Sequence, residues 1–385
     1  MAKRIGILTG GGDVPGLNAA VKAFVWRMDG NHEIVGLRRG WASLLNIVPE
    51  PGVDNSAWVM PLNRLNTRSI DRAGGTVLHT SRVNPSISKR DFIPSHLRGE
   101  MGEPDERGRY DLTRAALRAI EYLELDALVA LGGDGTLTFA RRLHREGVPV
   151  VAIPKTMDND VFGTDYCLGF STAVTRSVMF INDLRTGAGS HERFLVVELF
   201  GRYSGETCLL ASYLAGTDRA LIAEVPFDID KLYEMLARDK AESPSNYAVL
   251  AISEGAHMIG ASTVESGEAD DFGNRKLGGI GGILSDYLES TSRDKVIYQR
   301  LAYLMRSGAP DSLDQLVANN YGSLAADLLL RGETGTMVAV VDGRYTAVPI
   351  QVGEAKKRVD VARFYDAENY RPKVADVMGM PMFLH

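Results

Sequence analysis

The chain has only two cysteines among its 385 residues, Cys167 and Cys208, and neither sits in a CxxC pair or a Cys/His zinc spacing. That excludes a disulfide scaffold and a thiolate metal site, and both thiols are expected to be buried and inert. No apolar stretch reaches the roughly 18 residues that a membrane span needs. No signal-peptide apolar core follows Met1-Ala2-Lys3-Arg4. No membrane partner is expected, and the cytoplasm is the expected compartment. Excess positive charge is also missing. The net charge is −6, which argues against nucleic acid as the main partner. Neither G-x-G-x-x-G nor G-x-x-x-x-G-K-[ST] occurs where a dinucleotide or Walker-type site would need it. There is no low-complexity tract and no repeat of about 20–50 residues.

What is present is ordinary globular composition, with 45% hydrophobic and 24% charged residues. The length favours two domains. Short apolar runs alternate with helical patterns. Ile5 to Leu8 and Glu33 to Leu37 read as strands, with a helix starting near Leu17 between them. A helix over Ala115 to Tyr122 leads into the strand Leu128 to Leu131, and Leu137 to His144 is the next helix. Phe194 to Leu199 and Tyr247 to Ile252 are later strands. Such alternation implies parallel sheets covered by helices, with ligands in the crevice at the strand carboxyl ends. Arg98 to Arg109 and Ser262 to Lys276 read as loops.

The polar residues that stand out lie at those strand ends. Gly10-Gly11-Gly12-Asp13 follows the first strand, and such a turn entering a helix offers backbone N–H groups to phosphate. Gly132-Gly133-Asp134-Gly135-Thr136 follows another strand and forms an anion nest with a carboxylate beside it. Pro154 to Asp160, PKTMDND, joins a cation, a hydroxyl and two acids. Asp158 can accept a proton from a substrate hydroxyl, while Thr156 and Lys155 steady a moving phosphoryl group. The bland alternative for this run is an Asx-rich capping loop. Phosphate-binding glycines, metal-ligating acids and a base are the components of a phosphoryl-transfer enzyme. Arg82, Arg193, Arg202 and Arg306 fall near other strand ends, where sugar phosphates need them.

In chain order GGGDVPGLNAA, GGTVLHTSR, GGDGT, PKTMDND, SHER, VVELFGR, SEGA and YLMR resemble the blocks of the phosphofructokinase family, over roughly positions 5 to 330. GGDGT alone is shared with NAD kinases and diacylglycerol-type lipid kinases; PKTMDND downstream of it is the specific part. The resemblance implies two Rossmann-like three-layer α/β/α domains with mostly parallel sheets and the active site in the cleft between them. Residues 1–168, completed by about 307–355, are expected to bind the donor, and 169–306 with the tail 356–385 the sugar phosphate. The implied reaction is magnesium-dependent phosphoryl transfer to the 1-hydroxyl of fructose 6-phosphate. Asp158 resembles the proton acceptor, with Thr156 and Lys155 beside it, and Asp134 the magnesium ligand, aided by Asp160. Gly12, Arg82 and the segment Gly133, Asp134, Gly135, Thr136 match the donor-phosphate site. Thr156, Met157, Phe200, Gly201, Arg202, Glu254, Tyr303 and Arg306 match the sugar-phosphate site. Arg193 matches an arginine that crosses from a neighbouring subunit, which implies a homodimer or homotetramer.

In this family an aspartate directly after GGD goes with pyrophosphate, because its carboxylate blocks the α-phosphate of ATP. Gly135 holds that place here. Lys155, by contrast, resembles the pyrophosphate-type loop. A carboxylate against phosphate costs several kcal/mol at an effective dielectric constant of about 20, whereas a lysine there excludes neither donor. The expected donor is therefore ATP, with pyrophosphate as the alternative. A non-catalytic sugar-phosphate-sensing paralogue is a second alternative, opposed by the intact Asp134 and Asp158. The chain departs from the family at Tyr303, where a histidine is usual, and at Ile297, where a second cross-subunit arginine often stands. Those departures leave sedoheptulose 7-phosphate as a conceivable acceptor.

Overall fold

The computed structural model of the chain describes residues 2–28, 30, 32–266, 276–351, 356–374 and 377–383. In chain order the strands of its two main sheets are β1 (Arg4–Thr9), β2 (Glu33–Leu37), β3 (Val59–Leu62), β4 (Ala127–Gly132), β5 (Val150–Pro154), β6 (Phe194–Leu199), β7 (Arg219–Leu221), β8 (Ala248–Ser253), β9 (Val296–Arg300), β10 (Thr336–Val341) and β11 (Arg344–Pro349). The helices that matter for the site are α1 (Leu17–Met28), α2 (Thr113–Tyr122), α3 (Asp134–Arg145), α4 (Phe170–His191), α5 (Glu206–Ala215) and α6 (Ser312–Arg331).

The first sheet runs β11-β10-β5-β4-β1-β2-β3 and the second β9-β6-β8-β7. The centre of the first sheet is parallel, while β3 and β11 are antiparallel at its edges. All pairings in the second sheet are parallel. Strands buried on both faces need near-continuous apolar sequence, and β4, β5 and β8 read Ala-Leu-Val-Ala-Leu-Gly, Val-Val-Ala-Ile-Pro and Ala-Val-Leu-Ala-Ile-Ser, every residue buried. The first six strands of the larger sheet follow the doubly wound order, whose direction reverses between β1 and β4. The carboxyl ends of those two strands carry the two glycine runs, at the place where such sheets bind ligands.

The expected α/β architecture stands, and the helix and strand assignments fall on observed elements with ends shifted by a few residues. Sequence reading did not anticipate the β10–β11 hairpin or β9. Of the stretch expected as a second loop, residues 267–275 lie outside the described residues. Both cysteines are free and buried, and burial pushes each thiol up to about 12, as inert core residues require. No helix among the described residues is long and apolar enough to cross a membrane.

One buried carboxylate ties the segments together. Asp314 on α6 accepts from the Tyr166 hydroxyl at 2.6 Å, from the Gly169 and Thr172 amides at 2.8 Å and from the Thr172 hydroxyl at 2.5 Å. Those donors lie at or before the start of α4, so α6 fixes the route by which the chain leaves the PKTMDND loop. A buried acid is tolerated only when its oxygens are satisfied in this way.

Candidate active site

The glycine turn after β1 is pinned between two segments. Gly10 N–H donates to the Leu131 carbonyl and Gly11 N–H to Ser81, each at 2.9 Å. Gly11 has φ +80°, a region that side-chain-bearing residues avoid, and a Cβ on Gly12 would run into the Arg306 guanidinium. Glycine is thus what lets the backbone and the cations crowd one spot. Across the sheet, α3 begins at Asp134 with no side-chain cap on Gly133. The first-turn N–H groups have no acceptor within the helix, and the positive end of its dipole faces the cleft. The Thr136 hydroxyl is buried and has no hydrogen-bond partner among the described residues. Open backbone donors, an unclaimed hydroxyl and converging cations form a receptor for an anion such as phosphate.

Lys155 leaves β5 into this space. It is 4% exposed and its Nζ donates to the Gly12 carbonyl at 2.5 Å. Burial lowers its pKa to about 7, reinforced by repulsion from Arg306 and Arg82 and opposed by Asp13.

Further along the loop, Asn159 takes φ +54° and turns inward. Its amide donates to the Asp165 carbonyl at 3.0 Å and to Glu206 at 3.1 Å, and its Oδ1 accepts from Cys167 N–H at 2.8 Å. With Asn159 anchored inside, its neighbours Asp158 and Asp160 face the cleft. Asn159 is thus the structural member of the loop, tied to Asp165, Glu206 and Cys167. Asp158 Oδ2 accepts from Arg202 N–H at 3.4 Å. Enclosure in the cleft and the nearby carboxylates Asp160 and Glu254 push its pKa up to about 7. A carboxylate poised there accepts protons far better than one near its ordinary value.

Asp134 and Asp160 converge on the ammonium of Lys356, at 2.8 Å and 3.0 Å. Burial raises the Asp134 pKa and Lys356 opposes that shift. Among the described residues no group of three or more His, Cys, Asp or Glu side chains is gathered to hold a metal. Two carboxylates are nevertheless what magnesium needs when phosphate oxygens and water complete its shell, so the pair fits such an ion.

The opposite wall comes from the second sheet. Phe200 and Arg202 follow β6, and Glu254 follows β8, its amide held by the Leu199 carbonyl at 2.8 Å. Arg300 at the end of β9 bridges the buried Glu198 at 3.1 Å and Glu254 at 3.3 Å. Arg306 faces the Tyr303 ring at 4.3 Å and lies 3.8 Å from Asp13.

A family model described as Phosphofructokinase matches residues 4–329. This chain belongs to the phosphofructokinase family. It is 36% identical over 94% of its length to a pyrophosphate–fructose 6-phosphate 1-phosphotransferase of Dictyoglomus thermophilum, covering 97% of that protein. It is 35% identical over 90% of its length to an ATP-dependent 6-phosphofructokinase of Chloroflexus aurantiacus, covering 90% of it. Its fold matches phosphofructokinase from Saccharomyces cerevisiae with a TM-score of 0.72 and 23% identity, over 90% of this chain and 45% of that one.

One cavity gathers most of the residues singled out by the family motifs. Gly12, Arg82, Gly133, Asp134, Gly135 and Thr136 line it, together with Lys155, Thr156, Met157, Asp158 and Asp160. Phe200, Arg202, Glu254 and Arg306 complete the far wall. Gly201 and Tyr303 are not in the lining; Tyr303 packs edge-on against Phe200 at 6.3 Å and backs Arg306 instead. Arg193 stands at the start of β6, the end remote from the cleft. Ile297 is partly buried against the core, and of its charged neighbours Lys295 pairs with Glu289 at 3.3 Å while Arg300 faces inward. Gly11, part of the glycine turn read as a phosphate site, also lines the cavity, as do Val14, Tyr203 and Lys356, which sequence reasoning did not single out. For Lys356 the signal was the Lys356-Lys357-Arg358 charge run, and nothing in it marks which cation faces the site.

The buried lysine makes a measurable prediction. At about pH 8 a group titrating near 7 is mostly neutral, and a bound polyphosphate would favour its charged form. Binding of pyrophosphate or ATP should therefore take up protons, approaching about one per site. Calorimetry in buffers of different ionisation enthalpy reads this directly, and Lys155→Met should abolish the uptake. Buffer-independent heats in the unaltered protein would contradict the assignment.

Proposed function

We propose that the chain is an ATP-dependent 6-phosphofructokinase that makes fructose 1,6-bisphosphate in glycolysis. The observation that carries this reading is that Asp158 and the phosphate-binding segment around Asp134 line a single cavity between the two sheets. Donor and acceptor can then meet in one place.

The 1-hydroxyl oxygen of the sugar attacks the γ-phosphorus of ATP, the bond to ADP breaks, and Asp158 takes the hydroxyl proton. Lys155, Thr136 and the α3 N-terminus hold the donor phosphates. A magnesium ion held by Asp134 and Asp160 would neutralise charge on those phosphates. Arg202 and Glu254 bind the acceptor, and Arg306, which leans toward Gly12, serves the boundary between the two substrates. Residues 1–168 with about 307–355 act as the donor half, and 169–306 with 356–385 as the acceptor half. Arg193, remote from the cleft of its own subunit, is suited to a neighbouring site in a homodimer or homotetramer. The cytoplasm is the compartment that goes with this reading.

Gly135 supports ATP by leaving room for the α-phosphate. The second reading, pyrophosphate as donor, rests on Lys155 and on the similarity to the Dictyoglomus pyrophosphate–fructose 6-phosphate 1-phosphotransferase. Turnover of ATP and pyrophosphate with fructose 6-phosphate and sedoheptulose 7-phosphate decides between them. ATP with fructose 6-phosphate should be fastest. Faster turnover with pyrophosphate reverses the donor, and tight sugar-phosphate binding without turnover of either donor marks a sensing paralogue.

A further inference from the structure

Lys356 stands between the two carboxylates suited to the divalent cation, and nothing in the family motifs accounts for it. Its Nζ is within 3.0 Å of both Asp134 and Asp160, and 4.5 Å from the centre of the Tyr203 ring. The position is built. The next residue's amide, Lys357 N–H, donates to the Asp160 carbonyl at 3.2 Å, and Lys357 Nζ caps the Thr164 and Asp165 carbonyls at 3.0 and 3.1 Å. Two residues on, Val359 N–H donates to Glu224 at 3.0 Å. The backbone that carries Lys356 is thus fastened beside the loop that carries Asp160.

A divalent cation takes carboxylate oxygens at about 2.1 Å. It cannot share both Asp134 and Asp160 with an ammonium that already touches them, because the two cations would also repel at close range. Something must leave, and the side chain can, since it is 34% exposed and opens onto the cleft. The anion that arrives with the metal is the donor polyphosphate.

We propose that Lys356 is the resident counter-ion of the metal-ligand pair, gives it up to the incoming divalent cation, and passes its ammonium to the donor phosphates. The inference rests on the phosphoryl-transfer reading of this site. It makes the cation and the donor arrive more favourably together than singly, because the donor supplies the displaced lysine with a new partner.

The test is manganese binding to the full chain without donor or sugar, read from the electron-spin-resonance signal of free Mn²⁺. Lys356→Met should bind Mn²⁺ at least about tenfold more tightly than the unaltered protein, because a competing positive charge is removed. Lys356→Arg, which keeps that charge, should bind as the unaltered protein does. In turnover with magnesium present, Lys356→Met should raise the KM for ATP or pyrophosphate about tenfold or more while the sugar-phosphate KM stays within about twofold. Equal or weaker Mn²⁺ binding by Lys356→Met, or tightening in both variants alike, overturns the proposal. Asp134→Asn separates the two readings. If it leaves Mn²⁺ affinity unchanged, the metal site itself is misassigned. If it weakens Mn²⁺ binding while Lys356→Met matches the unaltered protein, only the role of Lys356 fails.

Discussion

Replacing Asp158 with Asn should lower kcat by about 10²–10⁴-fold and leave the KM of both substrates within a fewfold. The substitution keeps the shape of the side chain, and Arg202 N–H still has an oxygen to reach, since the native contact is a 3.4 Å bond from the backbone. What disappears is the capacity to take a proton from the attacking alcohol. The native carboxylate is suited to that task because enclosure and the charges of Asp160 and Glu254 hold it near 7, so a captured proton stays. Steady-state kinetics check the rate, and binding of the sugar phosphate by calorimetry checks that the site is intact. A rate within tenfold of the unaltered enzyme would remove Asp158 as the base.

Replacing Gly135 with Asp should cut turnover with ATP by about 10²-fold or more and spare turnover with pyrophosphate, because a new carboxylate facing a phosphate costs several kcal/mol at an effective dielectric constant of about 20. Gly135 lines the cavity in the first turn of α3, one residue beyond Asp134. A carboxylate there would face the more remote phosphate of a nucleotide, and pyrophosphate has no such group. The ratio of kcat/KM for the two donors is the quantity to follow. If both fall together, the substitution has damaged α3, and if neither moves, Gly135 does not select the donor.

The sequence was most informative where a local rule and a global rule agreed. β4 and β5 are apolar throughout, each ends in a polar run, and a doubly wound sheet puts such runs at its ligand crevice. Gly133 to Thr136 and Lys155 to Asp160 were readable on those grounds alone. The β10–β11 hairpin was harder, because Arg344 to Pro349 is an edge strand whose mixed residues carry no clear period. Tyr303 shows a different limit. Motif position put it in the sugar site; its exposed ring packs edge-on against Phe200 and faces Arg306, two lining residues, and linear order alone does not show which neighbours such a ring will meet. Lys356 lies about two hundred residues from the acids it bridges. A contact of that span is created only when the fold closes, so no local pattern could announce it.

The anchoring of the PKTMDND loop has a mechanical outcome. The loop departs from a strand of the larger sheet, yet Thr207 bonds the Met157 carbonyl at 2.8 Å, Glu206 bonds Asn159 at 3.1 Å, and the Arg202 backbone reaches Asp158 itself. All three tethers come from the smaller sheet's side. On the proposed reading these bonds fasten the base to the half that would hold the sugar, while the glycine turns and Asp134 belong to the half that would hold the donor. On that reading, a swing of one half against the other would alter the gap the phosphoryl group must cross more than the spacing between alcohol and carboxylate.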